Sequence, residues 1–220
     1  MYNQRMETLA LFPLNTVLFP GQLLPLHIFE PRYRQMIGEC IQHSRPFGVV
    51  LIQSGEEVGA EADPRDVGTI AHIVQVERMP DGRMNILCVG NARFRIEEMF
   101  HDKPYLYGTV ELWPWTPFAT GAADVDLVRK RLDRYLHLLA EMTDSKIDVD
   151  LPADPASLAN IAASVLQIDL DEKQQLLTTD SIGEMLIQIS GLLQRELRGL
   201  QIVQASRQTP PDEVIPFSLN

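Results

Sequence analysis

The 220-residue sequence predicts an α+β protein, with a strongly bent sheet or partly closed β-barrel and one early helix, followed by a helical bundle with a long last helix. Three observations carry this prediction. Short apolar or alternating runs between turn residues fill the first half, as in strands. After about residue 117 the apolar period becomes helical. A composition with 45% hydrophobic and 22% charged residues is typical of a folded domain.

The first elements are two apolar strands and a helix. Residues 9–12 and 23–29 form the apolar runs, and a turn on Phe19-Pro20-Gly21 separates them. A helix over about residues 31–43 follows, with Tyr33, Ile37 and Ile41 at helical spacing in one apolar stripe that would pack on the barrel. We expect Glu30 to cap this helix and to pair with Arg93 or Arg95 across the fold.

The remaining strands are separated by clear turn signals. Residues 47–53 predict a buried strand, and residues 56–66 predict an exposed loop because they are polar and contain Gly and Pro. The tetrapeptide at 80–83, PDGR, predicts a hairpin turn in which Gly82 takes a positive φ. Alternating residues flank this turn, with a second break at Gly90-Asn91. A further strand covers about residues 105–113.

The second half reads as helices with recognisable start signals. Apolar residues at helical spacing predict helices over residues 123–142 and 181–204. Asp154 before Pro155 predicts a capped helix over residues 155–166. Asp169, with Glu172 three residues later, predicts the start of a short helix.

The sequence divides into a β-rich lobe over residues 1–117, a helical lobe over residues 118–208, and an extended tail over residues 209–220. The prolines and tryptophans at 113–117 favour a stiff junction. The tail has three prolines and no helical period, so we expect it to be extended.

Charge and cysteine content limit the function. The formal net charge is −11, and both halves of the chain are acidic, so nucleic acid is a disfavoured partner. Cys40 and Cys88 lie in apolar patterns without a metal-binding spacing and predict buried, reduced thiols. No apolar stretch has the length of a signal peptide core or of a membrane span, so we expect a cytoplasmic protein that does not bind membranes.

The motifs of common enzyme classes are missing from the sequence. No Gly-Lys dipeptide, GxSxG or HExxH motif occurs, and the five histidines are scattered without metal-ligand spacing. We therefore predict that the chain is not an enzyme and that it binds no cofactor or metal.

Two apolar groups are the candidate polypeptide-binding residues. They are Val17, Leu18, Phe19 and Pro20 at the turn, and the aromatic residues Tyr105, Tyr107, Trp113 and Trp115. Turn tips are usually polar, so apolar residues there indicate either tucking against a neighbouring segment or a contact surface for another chain. The aromatic group leaves the same choice open. A stacking platform for nucleic acid fits it less well, since Lys103 is the one basic residue nearby.

Three segments resemble the N-terminal (substrate-binding) domain of Lon protease. They are LALFPLNTVLFPGQLLPLHIFEPRYRQM at 9–36, VGTIAHIVQVERMPDGRMNILCVGNARFRI at 67–96, and the helical portion at 154–200. The resemblance implies a PUA-like bent β-barrel with a following helical bundle, in a region that recognises unfolded substrates and helps to assemble the protease ring. The AAA+ ATPase and Ser–Lys protease domains of that family have no counterpart in this sequence, so no catalytic residue carries over and a stand-alone form is expected.

These observations favour a non-catalytic binding module for unfolded polypeptide or for a specific protein partner, and they are compatible with self-association. An alternative is a small-molecule or RNA reader, because PUA-like barrels bind RNA. The remaining alternative is a hydrolase whose dispersed residues meet only in the fold.

Overall fold

The structure, a computed structural model, describes residues 6–55, 62–116, 122–143, 145 and 150–208. The strands are β1 (Met6–Leu14), β2 (Leu23–Ile28), β3 (Phe47–Gly55), β4 (Ala62–Arg78), β5 (Met84–Phe100) and β6 (Tyr107–Leu112). The helices are α1 (Pro31–Gln42), α2 (Ala122–Met142), α3 (Pro155–Val165), α4 (Leu170–Leu177) and α5 (Ile182–Gln208). Strands precede helices, with one early helix, and this order confirms the predicted α+β class.

The sheet closes into a barrel. Its strand order is β2-β5-β4-β3-β1-β6, and β6 also pairs with β5, so that β1, β3, β4, β5 and β6 form a ring. The β1–β3 pair is parallel, and the other described pairs are antiparallel. Strands β4 and β5 are 17 residues long and continue beyond the ring, where β2 pairs with β5. We call this extension, β2-β5-β4, the arm.

The hairpin between β4 and β5 forms as predicted. Gly82 has a φ of +84°, which a residue without Cβ adopts at little cost. Met79 N donates a hydrogen bond to Arg83 O at 2.8 Å and closes the turn. The hairpin therefore fixes the register of the two longest strands.

Two strand predictions need correction. Residues 62–66, expected in a loop, belong to β4, because they pair with the end of β3. Gly90 does not end β5 but sits at a register shift against β4, where the strand bends without breaking. Residues 56–61 of the predicted loop lie outside the described residues.

Helix α1 packs against one face of the arm and of the barrel wall. Its predicted apolar stripe is buried at Tyr33 and Ile37, and the ring of Phe12 stacks on Tyr33 with centroids 4.1 Å apart. Glu30 is the N-cap residue but makes no side-chain capping bond. Its carboxylate accepts a hydrogen bond from Arg32 Nε at 3.1 Å.

The helical lobe begins its helices where the sequence predicts them. The side chain of Asp154 accepts a hydrogen bond from Ser157 N at 2.8 Å, and that of Asp169 accepts one from Glu172 N at 2.7 Å. These bonds satisfy amide groups that have no partner within the helix. Helix α5 has 27 residues and packs along α2. The predicted tail at 209–220 lies outside the described residues.

The barrel and the helices share one hydrophobic core. Val17, Phe19, Leu51 and Val67 from the barrel side belong to the same buried cluster as residues from α2, α3, α4 and α5. A buried polar contact accompanies it, in which Gln174 Nε2 donates to Val67 O at 2.9 Å. The change from strand to helix falls between β6 and α2, while the boundary at residue 117 stays a prediction outside the described residues.

Candidate polypeptide-binding surfaces

The turn before β2 is buried, so of the two alternatives that its sequence left open the structure shows packing against neighbouring segments. Leu18 and Phe19 are 2% and 0% exposed, and Val17 is equally buried. Val17 and Phe19 point into the core shared by the two lobes, whereas Leu18 points into the core beneath α1. Pro20 is half-buried beside them.

Main-chain contacts hold this turn against the sheet. Leu18 O accepts a hydrogen bond from Thr69 Oγ1 at 2.6 Å. Gly90 of β5 approaches so closely that a Cβ on it would lie 2.4 Å from Phe19 O. Gly90 O accepts a hydrogen bond from Gly21 N at 2.8 Å. The apolar turn therefore packs against the sheet and fills part of both hydrophobic cores.

Trp113 and Trp115 lie at the lobe junction, with the guanidinium of Arg93 against both rings. The guanidinium carbon is 4.1 Å and 4.2 Å from the two ring centroids. Arg93 is 1% exposed and donates hydrogen bonds to three main-chain oxygens, those of Trp113 at 2.6 Å, Leu177 at 2.7 Å and Thr179 at 2.6 Å. Burial lowers the pKa of Arg93 to about 10, so the group stays protonated at neutral pH. The predicted pairing of Arg93 with Glu30 is wrong.

The prediction for Arg95 also fails, for a related reason. Its guanidinium carbon lies 4.2 Å from the ring centroid of Trp113, on the side of the sheet that meets the helices. Both arginines of β5 thus contact tryptophans at the lobe junction. The alternation of residues 93–97 predicts a strand but not which partners its side chains meet. The half-buried tryptophans are packing residues of the junction.

Tyr105 and Tyr107 line an open cleft of about 490 Å³ at the C-terminal end of α1. Tyr105 Oη donates to Glu39 Oε2 at 2.5 Å, and Lys103 Nζ donates to Tyr105 Oη at 3.2 Å. Lys103 Nζ also lies 4.9 Å from the ring centroid of Tyr107. The hydrogen bond from Tyr105 lowers the pKa of Glu39, and burial raises the pKa of Tyr105. Glu39, Lys103 and Tyr105 therefore bond to one another and form part of the cleft wall.

Neither cysteine of the described residues is activated as a nucleophile. Cys40 and Cys88 are free and buried, which confirms that prediction. Burial raises the pKa of Cys40 to about 11 and that of Cys88 to about 12, so both stay as thiols at neutral pH. Among the hydrogen bonds of the described residues, none joins a serine, threonine or cysteine to a histidine ring. No cluster of three or more His, Cys, Asp or Glu side chains in the described ranges could hold a metal ion.

A membrane-spanning helix is also missing from the described ranges, since no helix there combines sufficient length with sufficient apolarity.

An exposed apolar surface lies on the arm, on the side of β2 that faces away from α1. Leu23 is 58% exposed and Phe29, just after the strand, is 46% exposed. Pro25 is exposed between them. Across the strand pair, Leu23 lies opposite Val89 and Pro25 opposite Leu87, both half-buried. We call these five residues the outer face.

Three polar side chains, those of His27, Asn85 and Glu77, lie on the same side of the arm as the outer face. The ring of His27 stacks on Phe29 with centroids 6.0 Å apart, and its Nδ1 is 2.7 Å from Asn85 Oδ1. Asn85 Nδ2 in turn donates to Glu77 Oε2 at 3.0 Å. A polar row of His27, Asn85 and Glu77 therefore crosses the arm between Pro25 and Phe29.

Sequence reasoning missed the outer face, although one residue could have indicated it. The run at 23–29 is almost continuously apolar and therefore suggests a strand covered on both sides. Pro25 argues otherwise, because proline has no N–H for a ladder and is confined to edge strands. A strand at the rim of a sheet has fewer neighbouring elements to cover both of its faces, so one face can remain exposed.

By fold, the chain is an α+β module in which a closed barrel and a helical bundle share a core. A family model for the ATP-dependent protease La (LON) substrate-binding domain matches residues 8–195. The chain belongs to this family, as the resemblance in the sequence predicted.

Similar proteins extend well beyond this module. Lon protease 2 of Myxococcus xanthus is 26% identical over 205 residues, which cover 89% of this chain and 24% of the relative. The Lon protease of Parabacteroides distasonis is 29% identical over 219 residues, which cover 95% and 26%. The chain thus spans about a quarter of the length of the curated relatives it matches.

Solved structures confirm the fold. The crystal structure of a Lon N-terminal domain protein from Xanthomonas campestris has a TM-score of 0.66 at 26% identity, covering 83% of this chain and 96% of that one. The N-terminal domain of Mycobacterium avium complex Lon protease has a TM-score of 0.63 at 20% identity, covering 86% and 98%.

Proposed function

We propose that this chain is a non-catalytic, cytoplasmic module that binds unfolded or partly unfolded polypeptide through the outer face of its arm. The observation that carries the proposal is the exposure of Leu23 and Phe29 on one side of an edge strand. A contiguous exposed apolar patch on a folded protein often marks an interaction site, and Leu23 forms such a patch with Pro25, Leu87 and Val89. Membership of a family described as a substrate-binding domain supports the same reading.

The chemistry of the outer face suits partners without a fixed sequence. Unfolded chains expose apolar side chains, and removing these together with the outer face from water is favourable by about 25 cal/mol per Å². The effect has no direction, so it tolerates many sequences. The net charge of −11 disfavours nucleic acid, and the proposal includes no such partner.

The residues predicted from sequence take different places in this proposal. Tyr105 and Tyr107 stay as candidate contact residues, because they line the open cleft. Trp113 and Trp115 serve the lobe junction, and the turn at 17–19 serves the core. Binding is therefore assigned to the outer face and the cleft, and the turn and the tryptophans are assigned to the interior of the fold.

The test is the fluorescence anisotropy of a labelled, reduced and carboxymethylated polypeptide that cannot fold, titrated with the protein at low and high salt. The double variant Leu23→Ser/Phe29→Ser should raise Kd at least tenfold, since about 1.4 kcal/mol of lost apolar contact gives a factor of ten. Ile187→Ser is the matched control, because Ile187 is 63% exposed on α5, away from the arm. It should change Kd less than twofold.

The outcomes separate the function from the surface. Saturable wild-type binding that survives high salt supports apolar capture. A folded double variant that binds as tightly as wild type would overturn the assignment to the outer face. No wild-type binding at any salt concentration would overturn the function.

A further inference from the structure

The N-terminal half of β1 has an unpaired edge beside the cleft. On one side, β1 pairs with β6 over Met6–Ala10. On the other side, its pairing with β3 begins at Leu11, which lies opposite Gly48. Within the described residues, no strand lies against that second side of residues 7–10.

The ladder with β6 shows which main-chain groups face this open side. Leu11 N donates to Leu106 O at 2.8 Å, and the β1–β6 register continues from there without a shift. In an antiparallel ladder, every second residue directs its N–H and C=O towards the partner strand. The main-chain groups of Glu7, Leu9 and Leu11 therefore face β6. Thr8 therefore directs its N–H and its C=O away from β6, and it is exposed.

The cleft reaches this main-chain edge. Leu9 lines the cleft although its side chain is buried inside the barrel, so it contributes main-chain atoms. The cleft also borders Met36 and Cys40, which are buried and give it an apolar floor. Its volume of about 490 Å³ is in the range of sites that hold small ligands or a few side chains.

The rim of the cleft carries charges of both signs. Glu7 and Glu39 supply carboxylates, and Arg45 and Lys103 supply cations. Glu39 and Lys103 lie 3.9 Å apart and largely offset each other. This balance favours an occupant recognised by its main chain and by one apolar side chain, without a net charge requirement.

The edges of β2 and of the outer half of β4 carry features that discourage pairing with another strand. On β2, Gly90 N donates to Gln22 O at 2.9 Å, so Gln22 and every second residue after it direct their main-chain groups towards β5. Pro25 therefore faces the open edge. Because proline has no N–H, that edge lacks one of the donors that an added strand would need. The outer half of β4 contains a register shift between Ile73 and Gln75. The β1 edge has neither a proline nor a shift in residues 7–10.

We infer that the cleft binds an extended polypeptide segment by adding it as a strand to β1 at Thr8, with one apolar side chain of the segment on the floor formed by Met36 and Cys40. This inference rests on the proposed function and adds the cleft to the outer face as a second contact site for the same polypeptide. In strand addition, main-chain hydrogen bonds supply the affinity. Selectivity comes from the pocket that receives a side chain of the added strand, which here is the floor formed by Met36 and Cys40. The segment that binds must have an N–H at the paired position, so proline there is excluded.

The direct test is amide hydrogen exchange, followed by NMR, in the unaltered protein with and without the same labelled, unfoldable polypeptide. The Thr8 amide should exchange at least tenfold more slowly when the protein is saturated. Exchange of the Thr8 amide at an unchanged rate in the saturated complex would overturn the inference. This measurement needs no variant and decides the question even if a substitution prevents folding.

A pair of variants tests the same point by affinity. Thr8→Pro removes the open N–H without removing a bond to β6, whereas Thr8→Val keeps the N–H and removes only the hydroxyl. Thr8→Pro should weaken binding at least tenfold, and Thr8→Val less than twofold. Equal Kd values for the two folded variants would contradict strand addition.

The remaining outcomes are also distinguishable. If wild type binds, the outer-face variant weakens binding, and neither Thr8→Pro nor bound-state exchange has an effect, the proposed function stands and this inference fails. If wild type does not bind the polypeptide, the proposed function is overturned, and this inference is overturned with it. If sedimentation velocity shows a wild-type dimer that Thr8→Pro converts to monomer, the edge belongs to a second copy of the chain and the inference is overturned.

Discussion

Two apolar stretches lie within thirteen residues of each other and have opposite fates. Residues 17–19 are buried, whereas Leu23 and Phe29 stand open on the outer face. The turn is covered from both sides, because it lies between the sheet and the helical lobe and fills two cores. Strand β2 is covered by α1 on one side only. Apolar character therefore does not decide burial by itself; the number of elements that can cover a segment does.

The largest expected difference is in stability. Phe19→Ala should lower the free energy of unfolding by about 3–5 kcal/mol, because it leaves a cavity in the core shared by the lobes. Leu23→Ala, at an exposed position, should change it by less than about 0.5 kcal/mol. Urea unfolding followed by circular dichroism measures both. Similar losses for the two variants would break the comparison.

A second prediction concerns the junction that the turn supports. Arg93→Met leaves three main-chain oxygens without their charged donor and should cost about 2–4 kcal/mol. Trp113 and Trp115 are the two tryptophans of the chain, and both contact Arg93, so tryptophan fluorescence reports on this junction. Because the lobes share a core, fluorescence and circular dichroism should show one coincident transition in wild type. Two separate transitions would mean that the lobes unfold independently.

A third prediction tests the contact that holds the turn. Gly90→Ala should destabilise the protein by about 2 kcal/mol, because its Cβ would lie 2.4 Å from Phe19 O and would push the turn off the sheet. Gly38→Ala is the matched control, since no atom lies within 4 Å of its Cβ position and alanine favours the helix by up to about 1 kcal/mol. Thermal unfolding should show opposite shifts for the two variants. Destabilisation of equal size would point to a general cost of losing glycine.

Most of the local chemistry could be predicted from the sequence, except the cap at Glu30, whereas distant contacts could not. The caps at Asp154 and Asp169 and the turn at Gly82 depend on residues within a few positions, and all three are confirmed. Arg93 donates to oxygens of residues 84 and 86 positions away, so strand alternation alone could not indicate its burial. Likewise, the open edge at Thr8 depends on where β3 begins its pairing, which no local pattern contains.

The aromatic group contains an intermediate case, Tyr105, whose ring is buried while its hydroxyl reaches the cleft. Its hydrogen bond lowers the pKa of Glu39, so this carboxylate stabilises the fold above its ordinary value of 4.5 and loses that contribution as pH falls through the lowered pKa. Tyr105→Phe removes the donor and should raise the pKa of Glu39, measured by NMR titration.

The stability difference caused by losing this hydrogen bond should follow the same titration. Wild type and Tyr105→Phe should differ in unfolding free energy by two parts. One is a constant offset from the altered ring contacts. The other, below about 1 kcal/mol, is present at pH 7 and disappears as pH falls through the lowered pKa of Glu39. The pH-dependent part is small because the Glu39 side chain is 40% exposed and therefore well solvated. A difference that stays constant from pH 7 to below the Glu39 pKa measured by NMR, with that pKa the same in wild type and variant, would show that the hydroxyl contributes nothing through Glu39. The buried turn, with no titratable group, should show no such pH dependence when Phe19→Ala is measured over the same range.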